Sequence, residues 1–184
     1  MKKLVLVLVI AIVVATGAFA QFGVGGGLLT DFTEPSGVTL DFSFDIKKIS
    51  VMWGTQFLLM MDIESAYGQS ETSMAFGWGV YAGVAFKVLT VDKWTVYIPL
   101  LMDFEIGIRT SSAPNSKTMT DFSIGIMPGI RAKYAFNKNW GLITGFQFDL
   151  FRLSKPYTYV GSSTGITFWG PAEALLGFRF TIGK

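Results

Sequence analysis

The sequence predicts an all-β protein: a closed antiparallel up-and-down β-barrel of eight strands that spans a membrane and is preceded by a cleavable signal peptide. Three observations carry that expectation. Apolar residues recur at every second position in eight segments, charged residues fall on the opposite row, and short basic connections alternate with longer polar ones. The clearest segment is 95–109, TVYIPLLMDFEIGIR. Val96, Ile98, Leu100, Met102, Phe104, Ile106 and Ile108 form one wholly apolar row, while Asp103, Glu105 and Arg109 stand on the other. A helix would scatter these carboxylates and isoleucines over every face, and the segment is much longer than the usual strand of ~5–6 residues. Alternation alone fits either a soluble barrel with a greasy interior or its inside-out counterpart, so size decides. The interior of an eight-stranded barrel only just accommodates side chains. The apolar rows are rich in Phe and Trp and the polar rows in Gly, Ala, Ser and Asp. Small and charged residues are therefore placed inside, and aromatics against lipid.

Composition agrees. The chain has 184 residues, 51% hydrophobic and 15% charged, whereas soluble domains carry about 25% charged residues. Beyond the N-terminus there is no apolar run of the ~20 residues that a spanning helix needs. Lipid admits no open sheet edge, which leaves a closed barrel. Cysteine and histidine are both absent, which removes disulfides, thiolate sites, imidazole bases and most metal and triad chemistry; no metal and no cofactor are expected. There are 15 basic and 13 acidic residues, and loss of Lys2 and Lys3 with the signal leaves 13 of each. Such a balance points to no nucleic-acid partner.

Residues 1–20, MKKLVLVLVIAIVVATGAFA, combine two lysines, an apolar run over 4–15 and Ala18-Phe19-Ala20 as a small-x-small cleavage site. That is the three-part secretory signal, and the run is too short for an anchor helix. The barrel is expected over 21–184. Its first segment, 21–30, is glycine-rich, with Phe22, Val24 and Leu28 outward. Val38, Leu40, Phe42, Phe44 and Ile46 mark the second, opposed by Asp41 and Asp45. The third runs through Ile49, Val51, Trp53, Phe57, Leu59 and Ile63, with Gln56 and Asp62 opposite. Phe76, Trp78, Val80, Val84, Phe86 and Val88 mark the fourth, with Lys87 inside, and 95–109 is the fifth. Phe122, Ile124, Ile126, Pro128, Ile130, Tyr134 and Phe136 mark the sixth, backed by Asp121, Arg131 and Lys133. Trp140, Leu142, Phe146, Phe148 and Leu150 give the seventh, with Gln147 and Asp149 inside. Ile166, Phe168, Leu176, Phe178 and Phe180 give the eighth, against Glu173 and Arg179.

The links after the second, fourth and sixth segments are Lys47-Lys48, Val91-Asp92-Lys93 and Asn137-Lys138-Asn139; the others, such as SAYGQSETS, TSSAPNSKTMT and SKPYTYVGSST, are longer and polar. Membrane barrels join their strands by short turns on one side and longer loops on the other. An aromatic girdle is expected at each interface: Phe86, Trp94, Tyr134, Phe136 and Trp140 by the short turns, and Phe76, Trp78, Phe104, Phe122 and Phe168 toward the long loops.

The signal, the eight amphipathic strands, the loop asymmetry and the aromatic alternation near the C-terminus resemble the small eight-stranded outer-membrane β-barrel proteins, the class of the OmpA transmembrane domain, OmpX and OmpW. The resemblance covers 21–184 and rests on architecture, not on a short motif. It implies a place in the bacterial outer membrane, among outer-membrane lipids, reached through the outer-membrane insertion machinery. Members commonly end in an aromatic residue read by that machinery. This chain ends Phe178-Arg179-Phe180-Thr181-Ile182-Gly183-Lys184, so Phe180 is the candidate.

Asp103 and Glu105 share a strand face, as a paired-carboxylate hydrolase would need. They belong, however, to a larger set on the inward rows: Asp41, Asp45, Asp62, Lys87, Asp103, Glu105, Arg109, Asp121, Arg131, Lys133, Asp149, Glu173 and Arg179. Buried charges must pair, so the expectation is a luminal salt-bridge network and no catalytic residue; enzymes of this fold class rely on histidine. Gly23-Val24-Gly25-Gly26-Gly27 lies inside a strand and opens no helix, which argues against phosphate binding. Pro99 and Pro128 sit mid-strand, where proline is tolerated mainly at bulges. With Leu58, Met60, Leu101 and Met127 on inward rows, they are expected to line a small apolar pocket or a lateral exit, the latter resembling the OmpW class. Tyr67, Tyr157 and Tyr159 among Ser, Thr and Gly suit the long loops to external ligands or surfaces. The functional expectation is a structural or surface-interaction role with a filled lumen. Its alternatives are a narrow channel or lateral route for small hydrophobic or ionic solutes, and a soluble periplasmic ligand-binding barrel.

Overall fold

The computed structural model describes residues 20–30, 35–66, 69–111, 118–157, 165–168 and 172–182. The expected signal segment, apart from Ala20, lies outside the described residues, as do Tyr67 and Tyr159 and the side chains of Met60, Asp62, Arg109 and Tyr157. The elements are β1 (Ala20–Thr30), β2 (Pro35–Ile46), β3 (Ile49–Ala66), β4 (Gln69–Val91), β5 (Trp94–Ser111), β6 (Met119–Ala135), β7 (Trp140–Phe148), β8 (Phe151–Tyr157), β9 (Gly165–Phe168) and β10 (Ala172–Ile182).

These ten segments fill eight positions in the wall. From β1 to β6, each strand pairs antiparallel with the next. The lower part of β6 then pairs with β7 and the upper part with β8, so β7 and β8 are one interrupted strand. Likewise β10 pairs with β7 and β9 with β8. Strand β10 returns to β1, from Phe22↔Ile182 to Thr30↔Ala174, which closes the sheet. The stagger can be followed through the ladder. Ala20 lies opposite Ile46, then come Ile49, Phe86 and Ile98; across the next seam the register puts Ile130, then Phe146, Ala174 and finally Thr30, ten residues further along β1. A stagger of this kind requires strands tilted by ~35–45° and leaves room for side chains alone.

The pleat sorts the two rows as alternation demands. Leu101 is 0% exposed, whereas its neighbours Leu100 and Met102 are 45% and 58% exposed. Asp41, Asp45, Gln56, Asp103, Arg131, Gln147 and Arg179 are buried, while Trp53, Phe57, Phe76, Trp78 and Phe178 are exposed. Water would make this arrangement unstable, since the wall is a broad, predominantly apolar surface; in a bilayer it satisfies both solvents. The soluble-carrier alternative therefore fails on the orientation of the rows.

Three local features depart from the expected strands. The link SAYGQSETS is mostly strand: β3 and β4 stay paired as far as Ala66↔Gln69. In β4 the register shifts between Lys87 and Leu89, which makes Val88 a bulge and keeps Val91 within the strand. In wall position seven, Gly129↔Gln147 is followed by Ile126↔Phe151, so three residues of one strand face two of β6. This bulge lies against Pro128, which has no amide hydrogen to donate. The seventh strand therefore continues to Tyr157 rather than ending at Leu150, and Ser154 to Tyr157 belong to strand rather than loop.

Lys47 and Asp92 open the tight β2–β3 and β4–β5 turns at φ 49° and 51°, the left-handed start that two-residue hairpins require. At the β1–β10 seam, Gly27 and Gly177 face each other across the ladder. A Cβ on Gly177 would collide with the Gly26 carbonyl oxygen and lie 2.6 Å from Gly27 Cα. Gly177→Ala is accordingly expected to destabilise the barrel by about 1–3 kcal/mol, the usual range for overpacking, as read from its urea midpoint after refolding.

Candidate functional site

The chemistry-bearing side chains gather in the lumen, where alternation places polar groups from every wall position. Of the charged residues that the sequence assigns to inward rows, Asp41, Asp45, Asp103, Arg131, Asp149 and Arg179 are buried. Lys87, Glu105, Asp121, Lys133 and Glu173 are half-buried. They assemble at three levels.

Nearest the short turns, Arg179 of β10 reaches Asp45 of β2 at 3.3 Å and donates to Ser43 Oγ. Ser50 donates to the same carboxylate at 2.5 Å, and Tyr97 donates to it at 3.5 Å. Lys133 Nζ donates to Thr181 at 2.8 Å, and Lys87 Nζ lies 5.8 Å from the centre of the Tyr97 ring.

At mid-height, Arg131 of β6 crosses to Asp41 of β2 at 3.0 Å. These strands are four wall positions apart in a ring of eight, so the bridge spans the lumen's full width. Tyr81 donates its hydroxyl to Asp41 Oδ1. Arg131 also donates to Gln147 Oε1 at 2.9 Å, and Gln147 passes the connection on to Glu173 at 3.2 Å.

Toward the long loops, one arginine serves three carboxylates. Arg152 of β8 lies 2.8 Å from Asp103, 3.1 Å from Glu105 and 2.6 Å from Asp149, and donates to Ser123 at 2.7 Å. Gly125 makes room, since a Cβ there would meet Asp103 Oδ1. Sequence reasoning missed Arg152 because the bulge reverses the parity of the strand beyond it. The signal was nonetheless present: Leu150 and Phe151 are adjacent apolar residues, and both face outward. Phe151 also joins the girdle, 5.5 Å from Phe168.

The residues predicted to line one apolar pocket divide between two packed groups. Leu101 and Met127 pack with Met52, Tyr81, Ala85 and Tyr97, and Pro99 is buried beside Leu101 on β5. Leu58 packs instead against Leu29, Ile143 and Leu175. Pro128 is half-buried on the outward row. The stagger explains the division, because inward residues meet across the lumen at heights that sequence spacing does not give. Above Leu58 a cavity of about 120 Å³ opens between Glu105, Asp121, Ser123 and Gly107.

The aromatic residues lie on the outer wall. Trp94 and Tyr134 are cross-strand partners with ring centres 4.9 Å apart, Tyr134 and Phe136 are 5.6 Å apart, and Phe104 and Phe122 are 6.3 Å apart. Phe76, Trp78, Phe86, Trp94, Phe104, Phe136, Trp140 and Phe168 are exposed, and Tyr134 and Phe122 are half-buried by their neighbours.

No protein-family model matches this chain, and no curated protein matches it. Solved structures do. A major outer membrane protein from Thermus thermophilus superposes with a TM-score of 0.58 at 15% identity, over 89% of this chain and 99% of that one. The fold is that of the small outer-membrane β-barrels. The outer membrane protein OprG from Pseudomonas aeruginosa gives a TM-score of 0.56 at 9% identity, over 91% and 98% of the two chains. E. coli outer membrane protein W gives 0.53 at 9% identity, over 90% and 98%. At these identities the likeness is one of fold, and the lumen must be read from its own residues.

Proposed function

We propose that the chain is an integral barrel of the bacterial outer membrane, with a structural or surface-interaction role and a lumen closed to general solute traffic. The observation that carries this reading is the mid-height bridge from Arg131 to Asp41, which crosses the lumen beside the apolar group of Met52, Tyr97 and Leu101. Polar bridges and apolar packing together fill the bore at side-chain density. Arg152 engages both carboxylates of the suspected pair, Asp103 and Glu105, which supports a structural rather than a catalytic role for that pair. Work at the surface then falls to the links 112–117 and 158–164, rich in Ser, Thr, Gly and Asn, a composition suited to adaptable polar contact with external ligands. Insertion is assigned to the outer-membrane machinery, with Phe180 as the terminal aromatic.

Planar-bilayer recording tests the closed lumen. The refolded, heat-modifiable chain is expected to show no stable openings, and Asp103→Asn is expected to stay silent as well. Openings whose conductance changes with Asp103→Asn would overturn the reading in favour of an ion-conducting bore.

One observation favours a lateral route as a second reading. The β5–β6 ladder runs from Tyr97↔Arg131 to Leu100↔Pro128 without pairing Ile98 or Pro99, and the bulge in the seventh strand lies against the same Pro128. Backbone pairing is thus thinnest where Leu101 and Met127 lie just inside. Leu101→Arg with unchanged uptake of a hydrophobic solute would dispose of this route.

A further inference from the structure

The outer wall carries a feature that the lumen does not explain. Gly26 occupies an outward position on β1 between Val24 and Leu28, directly beside Leu40 of β2 and Phe178 of β10. Where its neighbours raise large side chains, Gly26 raises none, and two apolar grooves meet over it. One, of about 560 Å³, runs toward the short turns between Leu40, Phe178, Phe180 and Trp140. The other, of about 460 Å³, continues upward between Val38, Leu142 and Leu176. They share Gly26 and Phe178 as their junction.

The two ends of this trough differ in charge. Its lower mouth is framed by the Trp140–Phe180 pair, with ring centres 4.9 Å apart. Lys138 stands exposed two residues before Trp140, and Lys47 and Lys48 stand exposed at the foot of β2. Among the described residues the exposed charges of that rim are Lys47, Lys48, Lys93, Lys138 and Asp92, a net positive ring at the depth where Trp marks the headgroup layer. At the upper end, the link 31–34 carries Asp31 and Glu34 and no basic residue.

We infer that the Gly26 trough is a binding site for an anionic phospholipid of the leaflet at the short turns, the periplasmic side of an outer-membrane barrel, with one acyl chain lying over Gly26 and the phosphate at the lysine rim beside Trp140. An apolar trough that faces lipid accepts a hydrocarbon chain; the cationic mouth selects the negative headgroup. This inference requires the wall to face lipid and does not depend on whether the lumen conducts.

Native mass spectrometry of the full chain, released from detergent micelles doped equally with phosphatidylglycerol and phosphatidylcholine of matched chains, tests it. Wild type is expected to retain one phosphatidylglycerol per barrel, favoured over phosphatidylcholine by about fivefold for each lysine engaged. Gly26→Leu fills the trough, and because a Cβ there meets only the Thr39 carbonyl oxygen, at 3.3 Å, the barrel should still fold; it is expected to lose adducts of both lipids. The triple variant Lys47→Asn, Lys48→Gln and Lys138→Gln alters exposed turn positions only, and should keep an adduct while losing the preference. Equal retention of the two lipids by wild type would overturn the inference. So would a preference unmoved by the triple variant, a lipid-free dimer in place of the adduct, or displacement of phosphatidylglycerol by lipopolysaccharide.

Discussion

Arg131→Leu is expected to destabilise the barrel by about 3–5 kcal/mol, the cost of leaving one partner of a buried ion pair uncompensated. The Arg131 side chain is 3% exposed and that of Asp41 is 7% exposed, so water cannot take the place of the guanidinium. Tyr81 would remain as a donor to Asp41, but a neutral hydroxyl does not cancel a charge. Gln147 would also lose the group that holds its carbonyl oxygen at 2.9 Å. Urea unfolding of the refolded barrel measures the loss, with Lys93→Gln on the exposed rim as a control expected to lie within about 0.5 kcal/mol of wild type. Adding Asp41→Asn to Arg131→Leu removes the stranded charge and should restore much of the stability, because Tyr81 can still donate to the amide oxygen. If the double variant is no more stable than Arg131→Leu, the bridge acts through packing and the electrostatic account is wrong.

How far the sequence carried follows from what alternation can and cannot encode. A period of two fixes which side of the wall a residue faces, and over the regular strands that was enough to separate Leu100 from Leu101 and Phe104 from Asp103. It also gave the wall count, because reversals of the chain are marked in turn by a short basic link such as Lys47-Lys48 and by a longer polar one. Period two says nothing about height. Arg131 meets Asp41 because the ten-residue stagger brings those levels together across the bore, and no spacing along the chain announces that meeting. The same stagger separates Leu58 from Met127, although both face inward. Alternation also fails wherever one extra residue enters a strand: beyond Leu150 the rows exchange places, and an arginine that sequence parity puts against lipid turns into the lumen. Two adjacent apolar residues, Leu150 and Phe151, are the local trace of that exchange. A proline on the neighbouring strand supplies its physical reason.

That exchange makes insertion of one alanine after Leu150 the most damaging single change expected in this wall. With the bulge still absorbing one residue, the alanine would take the place of Phe151 opposite Ile126, so Phe151 would turn inward and Arg152 outward. Arg152 would forfeit Asp103, Glu105, Asp149 and Ser123, its partners at 2.6–3.1 Å, and three carboxylates would lose the arginine they share. An arginine on the lipid face costs about 2–4 kcal/mol at mid-bilayer and less near the interface, and an uncompensated buried charge costs about 3–5 kcal/mol. Together these predict a loss of about 5 kcal/mol or more, enough to abolish the heat-modifiable barrel in most detergents. Two variants separate the causes. Leu150→Ala changes the side chain at the bulge and keeps the register, so it should cost only about 1 kcal/mol, since Leu150 is 37% exposed on the outer wall. Arg152→Gln keeps both bulge and register and removes the charge alone, so it should fall between the two. An insertion as stable as Leu150→Ala would mean that the bulge can absorb a second residue, and that the position of Arg152 is held by its three carboxylates rather than imposed by the backbone opposite Pro128.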